Sequence, residues 1–189
     1  RYGKIDVLVN NAVDRRNMVS LQDATREKLQ ASADTNLQGQ LLLSQAVLEY
    51  MVPAQSGSII NISSMRGLDC PHFPFYPEAM GDQPVNYTTE KWAMIGMTKY
   101  MAGRYGKHHI RVNAIAPGFF LTEQNRTLLT NPDGSWTQRG ADVIRQTPFG
   151  RMGEPEELCG TIHYLISDAS KFVTGTVAVV DGGFNTFAM

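Results

Sequence analysis

Four short apolar runs, set far apart, constrain the fold of this chain more than any other feature. They are Ile5-Asp6-Val7-Leu8-Val9, Ser58-Ile59-Ile60-Asn61-Ile62-Ser63-Ser64, Ile110-Arg111-Val112-Asn113-Ala114-Ile115-Ala116 and Val177-Ala178-Val179-Val180. The first is mostly β-branched and reads as a strand buried on both faces. The segments between the runs read as helix. Residues 21–30 form a short helix. A longer one, from Ala33 to Met51, carries the stripe Leu37, Leu41, Leu42, Gln45, Leu48 and Val52, and ends at Pro53 and Gly57. A proline-free helix runs from Tyr87 to Tyr105, with Gly106 at its C-cap. Glu154-Pro155-Glu156-Glu157-Leu158 opens a last helix that reaches Ser167, its proline and acids suiting a first turn. Residues 119–147 are polar and mixed, with a turn at Asn131-Pro132-Asp133-Gly134. Strands alternating with helices predict an α/β fold, a doubly wound parallel sheet with helices on both faces, forming one domain over residues 1–189.

Composition narrows the function classes. The 189 residues carry a net charge of -1, so no basic excess points to nucleic acid and no charge run points to a membrane surface. No apolar run is long enough to span a bilayer. Two cysteines, Cys70 and Cys159, make no disulfide framework, and a reducing cytoplasm fits. His72, His108, His109 and His163 show no ligand spacing, so no metal is expected. Charged residues make up 19%, which leaves surface for contacts between subunits.

Chemistry gathers where the strands end, because ligands of parallel sheets sit at strand C-termini. Asn10-Asn11-Ala12 follows the first run, where asparagine side chains can hold a turn through bonds to backbone. Ser63 and Ser64 end the second, either as a cap for the next turn or as a hydroxyl donor toward a substrate oxygen. Tyr87 and Lys91 stand four apart on one helical face. A phenol is a poor base at neutral pH, with a reference pKa of about 10. A fixed ammonium nearby favours the phenolate, and about 4 kcal/mol of such preference would poise a general acid/base near working pH. Asn36 lies inside a helix, a poor place by propensity, so it is either exposed or its amide is needed within. The connection 65–86, with four prolines and three aromatics, reads as a wall or lid over the site. Within it, His72, Phe73, Phe75 and Tyr76 could cover one face of a sugar or ring. Arg15, Arg16, Arg66 and Arg126 follow strand ends and could each hold a carboxylate, although solvation at the surface is the ordinary fate of such residues. Met94, Met97 and Met101 read as packing or subunit contact.

Taken together, Asn10-Asn11-Ala12, Asn36, Ser63-Ser64, Tyr87 with Lys91, and Pro117-Gly118 resemble the short-chain dehydrogenase/reductase family. The tail segments Gly150-Arg151-Met152-Gly153-Glu154-Pro155 and Asp181-Gly182-Gly183 are similar to it as well. The resemblance covers essentially the whole chain and implies a Rossmann-like sheet, of which these are roughly the C-terminal four strands. It implies an oxidoreductase that moves a hydride between NAD or NADP and a secondary alcohol or ketone, such as a sugar, sugar acid or polyol. Tyr87 would pass the proton. Lys91 would assist it and hold the nicotinamide ribose. Ser64 would bond the substrate oxygen, and Asn36 would hold a water in a relay ending at Lys91. Asn10 and Ala12 would support the sheet and border the adenine side. Pro117, Gly118, Phe120 and Thr122 would border the nicotinamide. A homodimer or homotetramer is expected.

The chain departs from the family pattern in three places. Val13 stands where glycine is usual, the gap from Ser64 to Tyr87 is long, and the glycine-rich pyrophosphate turn is not among these residues. The expectation is that this turn lies upstream of Arg1 in an N-terminally longer product. Without it, the first strand would have an unpaired outer edge, and the segment that selects NAD or NADP cannot be read. Two rival readings follow: a non-catalytic or truncated member acting as a subunit or binding module, and a reductase of acyl or aromatic ketones.

Overall fold

The computed structural model describes residues 3–73, 76 and 82–186. At its centre lies a parallel sheet of β1 (Val7–Asn10), β2 (Gly57–Ile62), β3 (Ile110–Pro117) and β4 (Val177–Val180), in that spatial order. The register pairs Leu8 with Ile59, Ile59 with Val112, and Ile115 with Ala178. Around it run α1 (Arg26–Ala33), α2 (Gln40–Ala54), α3 (Val85–Tyr105), α4 (Arg126–Leu129), α5 (Gln138–Gln146) and α6 (Cys159–Ile166).

The pleat sorts the strand residues between two cores. Ile59 and Val112 face Val47, Leu48 and Met51 of α2 and Met97 and Met101 of α3. Ile60 and Ile115 face Leu165 of α6, with Ile162 and Ile166 beside it. Each of these fully buried isoleucines contributes about 1.5–3 kcal/mol relative to exposure. Burial on both faces therefore holds for β2 and β3. It does not hold for β1, where Val7 and Val9 stay 36% and 40% exposed and only Leu8 packs, against the α2–α3 core. The reason is positional: β1 is the last strand of the sheet among the described residues, and the α6 core does not reach it.

Several expected boundaries change. The two helices predicted over 21–30 and 33–51 are one helical run that starts at Arg26, with Thr25 accepting from the Lys28 amide as its N-cap. Its middle, Asp34–Gly39, is a π-helical turn. Pro53 lies within the last turn of α2 rather than ending it, and Gln55 takes the left-handed cap. Gly106 likewise stays right-handed, and His109 makes the left-handed exit at φ 58°. The last predicted helix is a 3-10 turn at Pro155–Leu158 followed by α6. Residues 119–147 hold α4 and α5, which their polarity concealed. Met94, Met97 and Met101 are buried core residues, as packing requires.

Candidate active site

The C-terminal ends of β1, β2 and β3 open on a cavity of about 370 Å³. Its walls include Asn11, Ser64, Tyr87, Lys91, Gly118 and Phe120. Each gets there for a local reason. Ser63 and Ser64 leave β2 just before a 3-10 turn, Met65–Gly67, that must lie against α3. Gly67 permits this approach, since a Cβ there would stand 2.6 Å from the Lys91 carbonyl oxygen. Ser63 donates to that same carbonyl at 2.8 Å. Ser64 Oγ accepts from the Arg66 amide at 3.1 Å, so it is the cap for the turn. A hydroxyl that accepts keeps its own proton, and Ser64 still lines the cavity, so both readings of this serine are compatible.

Lys91 is 7% exposed. Its ammonium donates to the Ile62 carbonyl at 2.8 Å and lies 3.6 Å from Met94 Sδ and 5.7 Å from the centroid of the Tyr87 ring. Burial pulls its pKa down from 10.5 to about 8, against the opposing charge of Glu90. The sequence-predicted pair is therefore brought together on the wall of one cavity.

Asn36 sits in the π turn and is buried. Its two amide N–H groups are shared among Glu90 Oε2 at 2.8 Å, the Asp14 carbonyl at 2.9 Å and Ser32 at 3.2 Å, and its oxygen accepts from the Asp14 amide at 2.6 Å. Of the two alternatives set by its propensity, the amide is the one in use. It ties the loop after β1 to α3, behind the cavity rather than in its lining. Asn86 completes this tie, accepting from the Val19 amide and donating to Asn17 and Ser32.

Asn10 is buried and donates to Ser44 at 2.9 Å and to Asn61 Oδ1 at 2.8 Å, and Asn61 donates to Thr98. These side-chain bonds stitch β1 to β2, α2 and α3; the expected bonds from Asn10 to its own turn's backbone are not what it makes. The Ala12 carbonyl accepts from Gln40 at 2.9 Å. Neither Asn10 nor Ala12 lines the cavity, whereas Asn11 does. Pro117, Gly118, Phe120 and Thr122 all line it. Gly118 is required by proximity, because a Cβ there would stand 2.7 Å from Asp181 Cα.

Residues outside the expected set complete the site. Glu90 and Asn86 carried no spacing signal; their partners come from other helices and loops. Arg66, offered by the sequence as able to hold a carboxylate with surface solvation as its ordinary fate, is 8% exposed and lines the cavity. It donates to the Cys70 carbonyl at 2.8 Å and to the Tyr76 hydroxyl at 3.1 Å. Arg139, from α5, places its guanidinium 5.0 Å from the Tyr76 ring centroid. Of the other arginines, Arg15 lines the cavity, Arg16 pairs with Asp14 at 2.7 Å, and Arg126 lies near Glu123. From the long connection, Pro71, Tyr76, Gln83 and Pro84 form cavity wall, while Phe75 lies outside the described residues. His72 and Phe73 are not cavity lining. Among the described residues there is no group of three His, Cys, Asp or Glu side chains placed to hold a metal, and no helix long and apolar enough to cross a membrane.

The residues present suit the nicotinamide-ribose end of a dinucleotide. An ammonium has three N–H donors, and here one meets a carbonyl and another a weak thioether acceptor, which leaves donor capacity at the cavity wall for ribose hydroxyls.

Comparison with known proteins agrees. A family model described as enoyl-(acyl carrier protein) reductase matches residues 1–185. The chain is 37% identical over 184 residues to a 3-oxoacyl-(acyl-carrier-protein) reductase of Thermotoga maritima, covering 97% of this chain and 67% of that protein. It is 35% identical over 183 residues to gluconate 5-dehydrogenase of Gluconobacter oxydans, covering 96% and 64%. The crystal structure of a gluconate 5-dehydrogenase from Burkholderia cenocepacia, in complex with NADP and tartrate, superposes with a TM-score of 0.85 at 33% identity, covering 100% of this chain and 68% of that one. The chain thus spans about two thirds of the length of these relatives. On the match of its model, the identity of its relatives and the four-stranded parallel core, the chain belongs to the short-chain dehydrogenase/reductase family.

Proposed function

We propose that the protein is an NAD(P)-dependent oxidoreductase that interconverts a secondary alcohol and a ketone on a small polar substrate, with a sugar acid as the leading class. One observation carries this reading: a buried ammonium stands 5.7 Å from the Tyr87 ring on the wall of a cavity at the strand ends. The names of its relatives support it, with gluconate and 2-dehydro-3-deoxy-D-gluconate dehydrogenases among them. When bound, the nicotinamide supplies the hydride chemistry.

The chain's own residues handle the proton and the charge. Tyr87 takes the hydroxyl proton during oxidation and returns it during reduction. The Lys91 cation stabilises the negative charge that the phenolic oxygen carries when deprotonated, and its remaining N–H donors hold the ribose. Ser64 donates to the substrate oxygen, where charge builds as the carbonyl is reduced. Asn36 holds a water in the proton relay behind Lys91, on the side where its amide meets Glu90. Pro117, Gly118, Phe120 and Thr122 border the nicotinamide, and Asn10 and Ala12 the adenine side. Residues 1–189 act as one domain, in a homodimer or homotetramer located in the cytoplasm.

Titration with NADH and NADPH, followed by fluorescence, tests the cofactor. A substrate profile of D-gluconate, D-sorbitol and a long acyl ketone then tests the class. Saturable binding of at least one dinucleotide and oxidation of D-gluconate are expected. Binding of neither, or turnover of the acyl ketone alone, would overturn the reading.

A further inference from the structure

We propose that Glu90 is a positioning residue: as the counter-charge to its neighbour Lys91 on α3, it keeps that buried amine protonated behind Tyr87. The inference rests on the hydride-transfer reading above and adds the group that holds the cation in its charged form. Glu90 and Lys91 are each 7% exposed. Among the described residues neither makes a direct ion pair. The Lys91 ammonium meets neutral groups only: the Ile62 carbonyl, Met94 Sδ and the Tyr87 ring. Glu90 Oε2 likewise accepts from a neutral group, the Asn36 amide at 2.8 Å. Asn36 is itself anchored on the Asp14 backbone, so the carboxylate is held in place inside the fold.

Two buried opposite charges with neutral partners are costly unless each lies in the other's field. Away from bulk water that attraction reaches well beyond contact distance. Burial lowers the pKa of Lys91 to about 8, and the charge of Glu90 is what opposes the fall. No other described group takes its place. Arg15, Arg66 and Arg139 line the cavity, and an arginine cannot supply negative charge. Asp14, in the loop after β1, gives its carboxylate to Arg16. Asp181, beyond β4, accepts from the Gly183 and Asn185 amides. Arg26, Glu27 and Lys28 of α1, Asp34 of the π turn and Asp82 before α3 are exposed, where water screens them. At a pKa of about 8 the amine has little margin, so losing the field of Glu90 would discharge it close to neutral pH.

Two variants of the full chain separate charge from support. Glu90→Gln keeps an oxygen that can accept from Asn36 and removes the charge. Glu90→Asp keeps the charge and shortens the reach to Asn36. The protonation of Lys91 is read by NMR titration of 13C-labelled lysine ε-carbons, its signal assigned by loss in Lys91→Met; this needs no turnover. In Glu90→Gln the Lys91 midpoint is expected to fall from about 8 by at least about half a pH unit. In Glu90→Asp it is expected to stay within about 0.2 pH units of wild type. Reduction of 5-keto-D-gluconate should follow: relative to wild type, kcat of Glu90→Gln is expected to drop by a further factor of about two or more between pH 6 and pH 8. An unchanged midpoint in the glutamine variant overturns the proposal. So does an equal fall in both variants, which would make lost support the cause. A lowered midpoint with a flat ratio of rates would remove Glu90 from the reaction. Should neither dinucleotide support turnover of any sugar, the hydride-transfer reading fails, and the NMR midpoints alone decide whether Glu90 keeps Lys91 charged.

Discussion

Lys91 is a buried cation, and its burial costs stability. Its side chain is buried against Ile62 and Met94, and burial brings its pKa to about 8 from 10.5. In the unfolded chain the amine regains its ordinary value. Between those two values the unfolded state binds more protons, so this residue's contribution to stability rises with pH from about 8 to about 10.5. Below that window the folded state carries the full cost, on the order of 3 kcal/mol. Lys91→Met should therefore raise stability at pH 7 by up to about 3 kcal/mol, measured by urea denaturation, while turnover is lost. The difference between variant and wild type should shrink as pH climbs through the window. A difference flat across those pH values would contradict the burial account. That Tyr87, Lys91 and Ser64 share one cavity wall could be read from the sequence, because a four-residue spacing and a strand end are local patterns. Glu90 and Arg139 could not, since their partners Asn36 and Tyr76 come from other segments, whereas Arg66 and Tyr76 already stood out by their place after a strand end and in the long connection.

At the level of elements, the π turn at Asp34–Gly39 is the feature least visible in the sequence. Asn36 disfavours regular helix, and the wider turn lets its amide reach the Asp14 backbone and Glu90 together. Removing that amide leaves a buried carboxylate and a backbone N–H with fewer partners. Asn36→Ala is expected to cost about 2–3 kcal/mol in chemical denaturation and to raise the KM for dinucleotide by loosening the loop after β1. A loss below about 0.5 kcal/mol would show that the network is dispensable. The central strands were legible because a residue run buried on both faces must be continuously apolar. Helices α4 and α5 were not, because their sequences are mostly polar and α5 carries Gly140 in its first turns.

For the molecule as a whole, a four-stranded sheet brings Asn11, Ser64 and Gly118 from three strand ends to one cavity. Parallel order was readable from the alternation of strands and helices. The exposure of β1 was not readable from its own residues, since Val7 and Val9 look like core and are bare only because of where β1 falls in the sheet.

The most direct test of the whole account compares turnover and dinucleotide affinity in Tyr87→Phe, which deletes one oxygen and keeps the ring. Loss of turnover by a factor on the order of 10²–10⁴, with affinity for NADH or NADPH within about twofold, is the predicted result. Wild-type rates in this variant would contradict a phenolic acid/base at this position.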